Sequence, residues 1–355
     1  MKKVAIVGAG YIGKLHADIL CNKIENTCVT SIMDNVEKKG RDLADKTGAV
    51  YYKDFDTMLR KADVDVIAIC TPTFLHTEMV VKAAGAKKDI FCEKPLALSV
   101  ADAEKMITAA RNNKVNVMAG HVLRFWPVYV KVKEIIDSRE LGKTYHIYCE
   151  RLVAFPDWAE SGWNREEGLG GGGALDVQIH DIDYIISILG KPDFINSQGT
   201  YNSAFGGWAN MVTNMGFSDG ITGCVQAGWG LPPGFPFTNV LRVVCENGTV
   251  EWTFRAGKLL EKRDLNSPMV IYKADGTILE ETPDGTDAFL IQWKYFIDCL
   301  ESDRKIENAT FEIDGDATPL TGGWDYSDAK VTRSSTQAND GTYSLKILPA
   351  GGNVT

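Results

Sequence analysis

A glycine-rich turn near the start of the chain constrains its fold more than any other feature. The stretch GAGYIG at residues 8–13 has the pattern G-x-G-x-x-G, follows the apolar run KVAIV and precedes the helical pattern YIGKLHADIL. In such a strand–turn–helix unit the glycines allow a tight turn, close approach of backbone to a pyrophosphate, and close packing of helix on strand. The free N–H groups at the start of the helix attract phosphate. The candidate cofactor-binding residues of this turn are Gly8, Gly10, Tyr11, Ile12 and Gly13.

An aspartate after the next predicted strand indicates which dinucleotide binds. Asp34 ends the run CVTSIMD, 21 residues beyond Gly13, where a carboxylate can accept hydrogen bonds from the adenosine ribose hydroxyls. Its charge would repel a 2′-phosphate, and no arginine follows it closely, since Asn35 and Val36 come next. The pattern therefore favours NAD over NADP as the cofactor.

The first 120 residues alternate apolar runs with helical patterns. Strands that are apolar throughout and alternate with helices indicate a parallel sheet covered on both faces. One run ends in Glu93-Lys94-Pro95, and ligands of open parallel sheets bind outside the strand carboxyl ends. Lys94 is therefore a candidate acid–base group beside the nicotinamide, with a surface lysine before a turn as the other interpretation. Further candidates for the cofactor groove are Thr71, Pro72, His76 and Glu93, with a solvent-facing helix residue as the other interpretation of His76.

The pattern of the chain changes after residue 120. The predicted helix PVYVKVKEIIDSRELG is followed by strands of period two between residues 194 and 281 and by a final amphipathic helix, FLIQWKYFIDCLESD. We expect three parts: a dinucleotide-binding Rossmann domain at 1–120, an α+β domain with an antiparallel sheet at 121–312, and an atypical, strand-like tail at 313–355.

The stretch LGGGGALDVQIHDID, residues 169–183, combines four glycines with three ionisable side chains on a predicted helix. Asp176, His180 and Asp183 would fall within about 60° of one another on one helical face. Taken singly, an aspartate suits a helix N-terminus and a histidine suits a core, but together with Lys94 they form a candidate acid–base set. Asp183 either orients a neighbour or faces solvent. A neighbouring apolar stripe consists of Leu175, Ile179, Ile182 and Ile186.

Taken together, these motifs resemble the Gfo/Idh/MocA oxidoreductases, the family of glucose–fructose oxidoreductase and inositol dehydrogenase. The resemblance covers about residues 1–311. Its motifs are GAGYIG at 8–13, Asp34, CTPTFLH at 70–76, EKPLALS at 93–99, GHVLRFWP at 120–127 and GGGALDVQIHDID at 171–183. It implies a Rossmann domain followed by a domain with a large, mostly antiparallel open sheet. In the family this sheet commonly packs against another subunit, which implies a homodimer or homotetramer.

The resemblance also implies a reaction. The catalytic lysine of the family corresponds to Lys94, and its D-x-x-x-H pair corresponds to Asp176 and His180. The implied activity is NAD-dependent hydride transfer from a secondary hydroxyl of a sugar, sugar derivative or cyclitol. A redox-assisted glycosidase of the same family is the alternative, and a non-catalytic dinucleotide-binding sensor is disfavoured because both Lys94 and His180 are present. Candidate substrate-binding residues are Arg124, Trp126, Asp157, Trp163 and Arg165, with core packing as the other interpretation of the tryptophans.

Composition excludes several other functions. The net charge is −9 and no run of lysine or arginine occurs, which argues against nucleic acid and anionic membranes as partners. No stretch of 18 apolar residues occurs, and the run after Lys3 is too short for a secretory signal. The eight cysteines are scattered without metal-ligand spacing. We therefore expect a cytoplasmic enzyme without a metal site.

The tail departs from the family pattern. Family members usually continue with a long helix and a final strand, whereas residues 313–355 are rich in Thr, Ser, Gly and Asp. This composition resembles the opening of a carbohydrate-binding β-sandwich. The run GTYSLKILP within it predicts a strand.

Overall fold

The chain forms two compact units in a computed structural model that describes residues 1–155, 162–166, 168–256, 267–302, 304–306 and 342–345. The first unit comprises Met1–Val122 and the helix that follows Asp287, and the second begins at Leu123.

Six parallel strands form the sheet of the first unit, and five helices are wound around them. The strands are β1 Lys2–Val7, β2 Thr27–Met33, β3 Val50–Tyr52, β4 Val66–Ile69, β5 Asp89–Cys92 and β6 Val117–Ala119. Their order is β3-β2-β1-β4-β5-β6, with parallel pairing throughout. This is the order of a dinucleotide-binding Rossmann fold, which confirms the predicted parallel sheet. The helices are α1 Tyr11–Asn22, α2 Glu37–Thr47, α3 Phe55–Lys61, α4 His76–Gly85 and α5 Val100–Asn113.

The core of the first unit follows from its apolar strands. The side chains of Val4–Val7 and Val66–Ile69 are fully buried, as expected for strands covered on both faces. Ser99 caps α5 by accepting a hydrogen bond from the N–H of Asp102 at 3.1 Å, as is typical of serine at a helix N-terminus. Strand β3 and helix α3 are not evident from the sequence, because three and seven residues are too few to establish a hydrophobic period.

A nine-stranded, mostly antiparallel sheet dominates the second unit, as predicted. Its strands are β7 Thr144–Ala154, β8 Phe194–Asn202, β9 Gly207–Gly216, β10 Thr222–Leu231, β11 Phe237–Cys245, β12 Gly248–Ala256, β13 Met269–Lys273, β14 Ile278–Glu281 and β15 Thr342–Leu345. The order is β14-β13-β12-β11-β7-β10-β9-β8-β15, and only the β7–β10 pair is parallel. Helices α6 Pro127–Ser138 and α7 Ile179–Leu189 contribute to a hydrophobic core that includes alternate residues of β7, β10, β11 and β12.

The last described helix, α8 Ala288–Ser302, belongs to the first unit, although the sequence placed it in the second predicted domain. The reason is its aromatic face, since the Trp293 ring stacks on Phe91 of β5 with centroids 4.4 Å apart. In the tail, β15 pairs antiparallel with β8, at the place where GTYSLKILP predicts a strand. One of the strands predicted between residues 194 and 281, with the sequence KLLEKRD at 258–264, lies outside the described residues. No helix among those described is long and apolar enough to cross a membrane.

Candidate active site

The glycine turn between β1 and α1 has the geometry of a phosphate-binding loop. Gly8 has φ of +100°, a conformation that favours glycine. A Cβ on Gly13 would lie 1.9 Å from the carbonyl oxygen of Gly8, whereas no described atom lies within 4 Å of a Cβ built on Gly10. The packing of α1 on the glycine turn therefore requires glycine at position 13, whereas Gly10 leaves open space at the start of α1. Tyr11 is 56% exposed there.

Asp34 lies against this turn. One carboxylate oxygen accepts a hydrogen bond from the N–H of Ala9 at 2.7 Å, and the other accepts one from the N–H of Val36 at 2.8 Å. A carboxylate oxygen can accept more than one hydrogen bond. The two backbone N–H groups therefore orient the Asp34 carboxylate while each oxygen can still accept a hydrogen bond from a ribose hydroxyl. The turn and Asp34 together fit an adenine dinucleotide without a 2′-phosphate.

The Glu93-Lys94-Pro95 segment follows β5, and the Lys94–Pro95 peptide bond is cis. Lys94 is half-buried, and its N–H donates to the Glu93 carboxylate at 3.1 Å. Burial alone raises the pKa of Glu93. The hydrogen bond to His16 and the charge and N–H of Lys94 outweigh burial, so that the pKa lies below its ordinary value. Glu93 is therefore an ionised, buried neighbour of the candidate acid–base lysine.

His76 joins the two loops at the carboxyl ends of β4 and β5. One ring nitrogen lies 3.0 Å from the carbonyl oxygen of Pro95 and the other lies 2.9 Å from that of Thr71. The side chain is almost fully buried, so the solvent-facing interpretation is wrong. Burial lowers the pKa of His76, and the contacts to the carbonyl oxygens raise it by less. Both nitrogens face backbone, which makes His76 a residue that holds the Thr71 and Lys94 loops together.

In the second unit, the glycine run passes tightly along β9. Gly171 and Gly172 have φ of +73° and +64°, and a Cβ on Gly173 would lie 2.8 Å from the carbonyl oxygen of Ala209. The helix that follows contains a π turn at Ala174–Gln178, and α7 begins at Ile179. The predicted single α-helix is therefore wrong at its start. Asp176 lies within the π turn and His180 lies in the first turn of α7, and both are half-buried.

Gln178 ties the π turn to the sheet. Its amide nitrogen donates to the carbonyl oxygen of Val225 on β10 at 3.1 Å, and its amide oxygen accepts from the Thr213 hydroxyl on β9 at 3.1 Å. The Thr213 hydroxyl also hydrogen-bonds that of Ser197 at 2.8 Å. π turns occur frequently at functional sites, and here the buried amide fixes the segment between Asp176 and His180.

Two ion pairs hold the part of α7 that directly follows His180. Arg151 of β7 donates to the Asp181 carboxylate at 2.7 and 3.1 Å, and Arg124 donates to the Asp183 carboxylate at 2.8 and 2.6 Å. Both aspartates are buried. Asp183 therefore orients a neighbour rather than facing solvent, and Arg124, a predicted substrate-binding residue, has two nitrogens committed to it.

The buried face of α7 also differs from the predicted apolar stripe. Its most buried residues include Asp181, Tyr184 and Ile185, whereas the predicted stripe is only partly buried. The π turn changes the phase of the helix, and pairing with Arg151 allows Asp181 to enter the core. The members of the predicted stripe are Leu175, Ile179, Ile182 and Ile186.

The other predicted substrate-binding residues have varied surroundings. Trp126 packs against the hydrophobic core of the second unit, which is the alternative interpretation of that residue. The guanidinium of Arg165 lies over the Phe155 ring, 4.1 Å from its centroid. Arg165 ends a 3₁₀ turn that begins at Trp163. A Cβ on Gly170 would lie 3.3 Å from the Trp163 ring. Asp157 lies outside the described residues.

Sequence reasoning missed the buried polar residues that support these groups. His16 and Arg151 belong to no motif of the sequence, Gln178 stands unremarked within the motif at 171–183, and the partners of all three are distant along the chain. The sequence feature that could have identified them is a polar residue on the apolar face of a predicted helix or strand. Many residues with no functional role share this feature, so it does not single these three out. Among the described residues, no group of three His, Cys, Asp or Glu side chains is placed to hold a metal ion.

The strand order, the glycine turn and the oriented aspartate define a dinucleotide-binding Rossmann protein with a second, α+β unit. Residues 2–121 match the model of the oxidoreductase family with an NAD-binding Rossmann fold, and residues 129–251 match the GFO/IDH/MocA C-terminal domain. The chain belongs to the Gfo/Idh/MocA oxidoreductase family, whose cofactor is NAD.

Relatives of two activities are similar to this chain. The 2,7-anhydro-N-acetylneuraminate hydratase of Mediterraneibacter gnavus is 31% identical over 229 residues, covering 61% of this chain and 58% of the relative. The myo-inositol 2-dehydrogenase of Thermotoga maritima is 31% identical over 193 residues, covering 53% and 55%. The chain thus spans a little over half the length of these curated relatives.

Solved structures share the fold. The aldose–aldose oxidoreductase of Caulobacter crescentus, crystallised with glycerol, superposes with a TM-score of 0.74 at 21% identity, covering 86% of this chain and 90% of that one. A myo-inositol 2-dehydrogenase of Lactobacillus plantarum gives a TM-score of 0.72 at 23% identity, covering 86% and 91%. These likenesses establish the architecture of both units.

Proposed function

We propose that this protein is an NAD-dependent oxidoreductase that transfers a hydride between a secondary hydroxyl of a sugar, sugar derivative or cyclitol and nicotinamide. The observation that carries this proposal is the position of Lys94. The β1, β4 and β5 strands are neighbours, so the Lys94 turn lies two strand spacings, about 10 Å, from the glycine turn at the same edge of the sheet. This is where ligands of doubly wound sheets bind.

Three side chains supply the acid–base chemistry in this proposal. NAD⁺, held by the glycine turn and Asp34, would supply the acceptor for the hydride of the substrate carbon. Lys94 or His180 takes the hydroxyl proton, and Asp176 accepts a hydrogen bond from a substrate hydroxyl. The ionised Glu93 carboxylate accepts a hydrogen bond from the N–H of Lys94 at 3.1 Å and so helps to position the turn that carries the lysine. A substrate hydroxyl that approaches Lys94 meets a proton donor in the reductive direction and, once the lysine has lost its proton, an acceptor in the oxidative one.

The hydratase relatives favour a second candidate function. A redox-assisted glycosidase or related elimination enzyme would use the same groups for transient oxidation and would return the hydride to the product. Such an enzyme releases no net NADH. The inositol dehydrogenase relatives and the hydratase relatives have similar sequence identity to this chain. The two candidate functions must therefore be distinguished by the product that the protein forms.

A paired assay tests both candidates. We would incubate the protein with NAD⁺ and a panel of inositols, aldoses, sugar acids and aryl glycosides, and follow NADH absorbance and aryl release together. NADH accumulation that falls about 10²- to 10⁴-fold in Lys94→Ala and His180→Ala supports the dehydrogenase. Matched controls are Lys87→Ala and His146→Ala, which remove surface contacts to Asn113 and Thr222. Aryl release without NADH contradicts the dehydrogenase in favour of the second candidate.

We further propose that the protein is cytoplasmic and that its second unit, with the boundaries 121–312 taken from sequence, mediates a homodimer or homotetramer. The core lies on one face of the nine-stranded sheet. Alternate side chains on the other face include Tyr148, Val212 and Gln226, of which Val212 is 38% exposed. Val212→Asp is expected to lower the molar mass measured by light scattering, and an unchanged mass would contradict assembly through this face.

A further inference from the structure

A buried polar network leads from α8 to the Lys94 turn. The indole N–H of Trp293 donates to Nδ1 of His16 at 2.8 Å, and Nε2 of His16 lies 2.8 Å from a carboxylate oxygen of Glu93. The other carboxylate oxygen of Glu93 accepts from the N–H of Lys94 at 3.1 Å. We call these three side chains, Trp293, His16 and Glu93, the α8 network.

The direction of these hydrogen bonds fixes the state of His16. An indole N–H can only donate, so Nδ1 of His16 must carry a lone pair. The proton of the neutral ring is then on Nε2, where it donates to Glu93. The ionised Glu93 carboxylate can only accept, which agrees with a proton on Nε2, and the Trp293 donor on Nδ1 fixes the plane and position of the ring that orients this carboxylate.

Packing leaves the Glu93 carboxylate little freedom. His16 and Trp293 are fully buried and Glu93 is nearly so. A Cβ on Gly120 would lie 3.0 to 3.1 Å from the carboxylate atoms, so the neighbouring strand end also closes on it. Phe91 contacts both His16 and Trp293, with ring centroids 5.2 and 4.4 Å away. A carboxylate held this rigidly places the Lys94 backbone in one position.

Apolar side chains could fill the same space at a lower cost in free energy if the role of these residues were purely structural. Burying a carboxylate costs free energy unless its hydrogen bonds are made, and α8 already packs through Trp293 and Phe296. The α8 network ends at the N–H of Lys94, the candidate acid–base residue. Trp293 itself lies outside the ranges 2–121 and 129–251 that match the family models.

We propose that Trp293 is a positioning residue for Lys94, acting through the hydrogen bond that holds the His16 ring and through the orientation of Glu93. The effect on turnover rests on the proposed function, but the effect on His16 and on the Lys94 amide does not. Helix α8 then contributes to the reaction without contacting substrate or cofactor.

The test compares Trp293→Phe with Phe296→Leu. Trp293→Phe keeps an aromatic ring but removes the donor, whereas Phe296→Leu disturbs the same aromatic cluster, 5.9 Å away from Trp293, without touching the polar network. The ¹⁵N shifts of the His16 ring and the amide resonance of Lys94 are measured in the full chain, with and without NAD⁺. The proposal expects an Nε2–H tautomer in the unaltered protein. In Trp293→Phe it expects a changed Nδ1 shift, because that nitrogen loses its hydrogen bond, and a shifted Lys94 amide. Phe296→Leu retains both signals.

Turnover provides the second readout. The proposal expects kcat to fall about ten- to hundredfold in Trp293→Phe, as for a misplaced catalytic group, with KM and NAD affinity unchanged. Glu93→Gln, which keeps the side-chain shape, is expected to lower kcat similarly while leaving the Trp293 to His16 bond intact. Unchanged His16 and Lys94 resonances in Trp293→Phe, or a kcat loss no greater than in Phe296→Leu, would overturn the proposal. Absence of turnover in the unaltered protein would instead refute the proposed function, and the resonances would still decide the α8 network.

Discussion

Gly13 packs directly on the carbonyl oxygen of Gly8, with only 1.9 Å between that oxygen and the position of a Cβ on Gly13. Gly13→Ala must therefore push α1 away from β1. We expect a loss of several kcal/mol in the free energy of unfolding, since overpacking against backbone has no side chain that can move aside. Urea denaturation measures this loss, and a stability within 0.5 kcal/mol of the unaltered protein, a margin of about the size seen for surface substitutions, would contradict the geometry.

Gly10 gives the opposite expectation. Its Cβ position meets no described atom within 4 Å, so Gly10→Ala should leave the melting temperature unchanged. If the open space receives the pyrophosphate, the added methyl group should raise the Kd for NAD about tenfold, which corresponds to roughly 1.4 kcal/mol. Calorimetric titration measures the affinity, and unchanged binding would show that the backbone of this turn does not approach the cofactor.

The Arg124–Asp183 ion pair should make a measurable contribution to the free energy of unfolding. Arg124→Ala leaves the Asp183 carboxylate, 2% exposed, without its bidentate partner, and we expect a loss of about 3 to 5 kcal/mol in the free energy of unfolding. Lys131→Ala, which removes a 3.7 Å pair with Glu281 at the surface, should cost less than about 1 kcal/mol. Equal effects of the two substitutions would indicate that Arg124 does not support α7 and would favour its role as a substrate ligand.

His76 should make stability depend on pH near neutrality. Burial lowers its pKa below the ordinary value of 6.5 in the folded state, so the unfolded chain binds a proton first as the pH falls. The contribution of His76 is complete above pH 6.5 and decreases as the pH falls from there through the lowered pKa. Unfolding free energies at pH 7.5 and 5.5 should therefore converge in His76→Gln, whereas the His146→Gln control should retain the difference. An unaltered difference in His76→Gln would refute this assignment.

Much of the fold could be predicted because its signals are local. The glycine turn, Asp34 and Lys94 each stand at the end of an apolar run, and the parallel sheet follows from the alternation of strands with helices. Strand β3, helix α3 and the placement of α8 could not be predicted in this way. The first two are too short for a period, and the third depends on which side chains Trp293 meets.

The supporting parts of the candidate site depend on contacts between distant positions. Trp293 and His16 are 277 residues apart in sequence, and Arg124 and Asp183 are 59 apart. Nothing within either segment specifies its partner. The π turn before α7 was missed for a related reason, because its amide anchor Gln178 is satisfied by Val225 and Thr213 of the sheet.

The central claim is that this protein transfers a hydride to NAD⁺ with Lys94 and His180 as acid–base groups. The most direct test incubates the protein with NAD⁺ and polyols deuterated at their secondary carbons, and measures deuterium at the nicotinamide by NMR. We predict deuterium transfer in the unaltered protein and in Lys87→Ala, and its loss in Lys94→Ala and His180→Ala at unchanged NAD affinity. Because a redox-assisted elimination also passes through this step, NAD binding without deuterium transfer from any polyol or sugar would contradict both candidate functions.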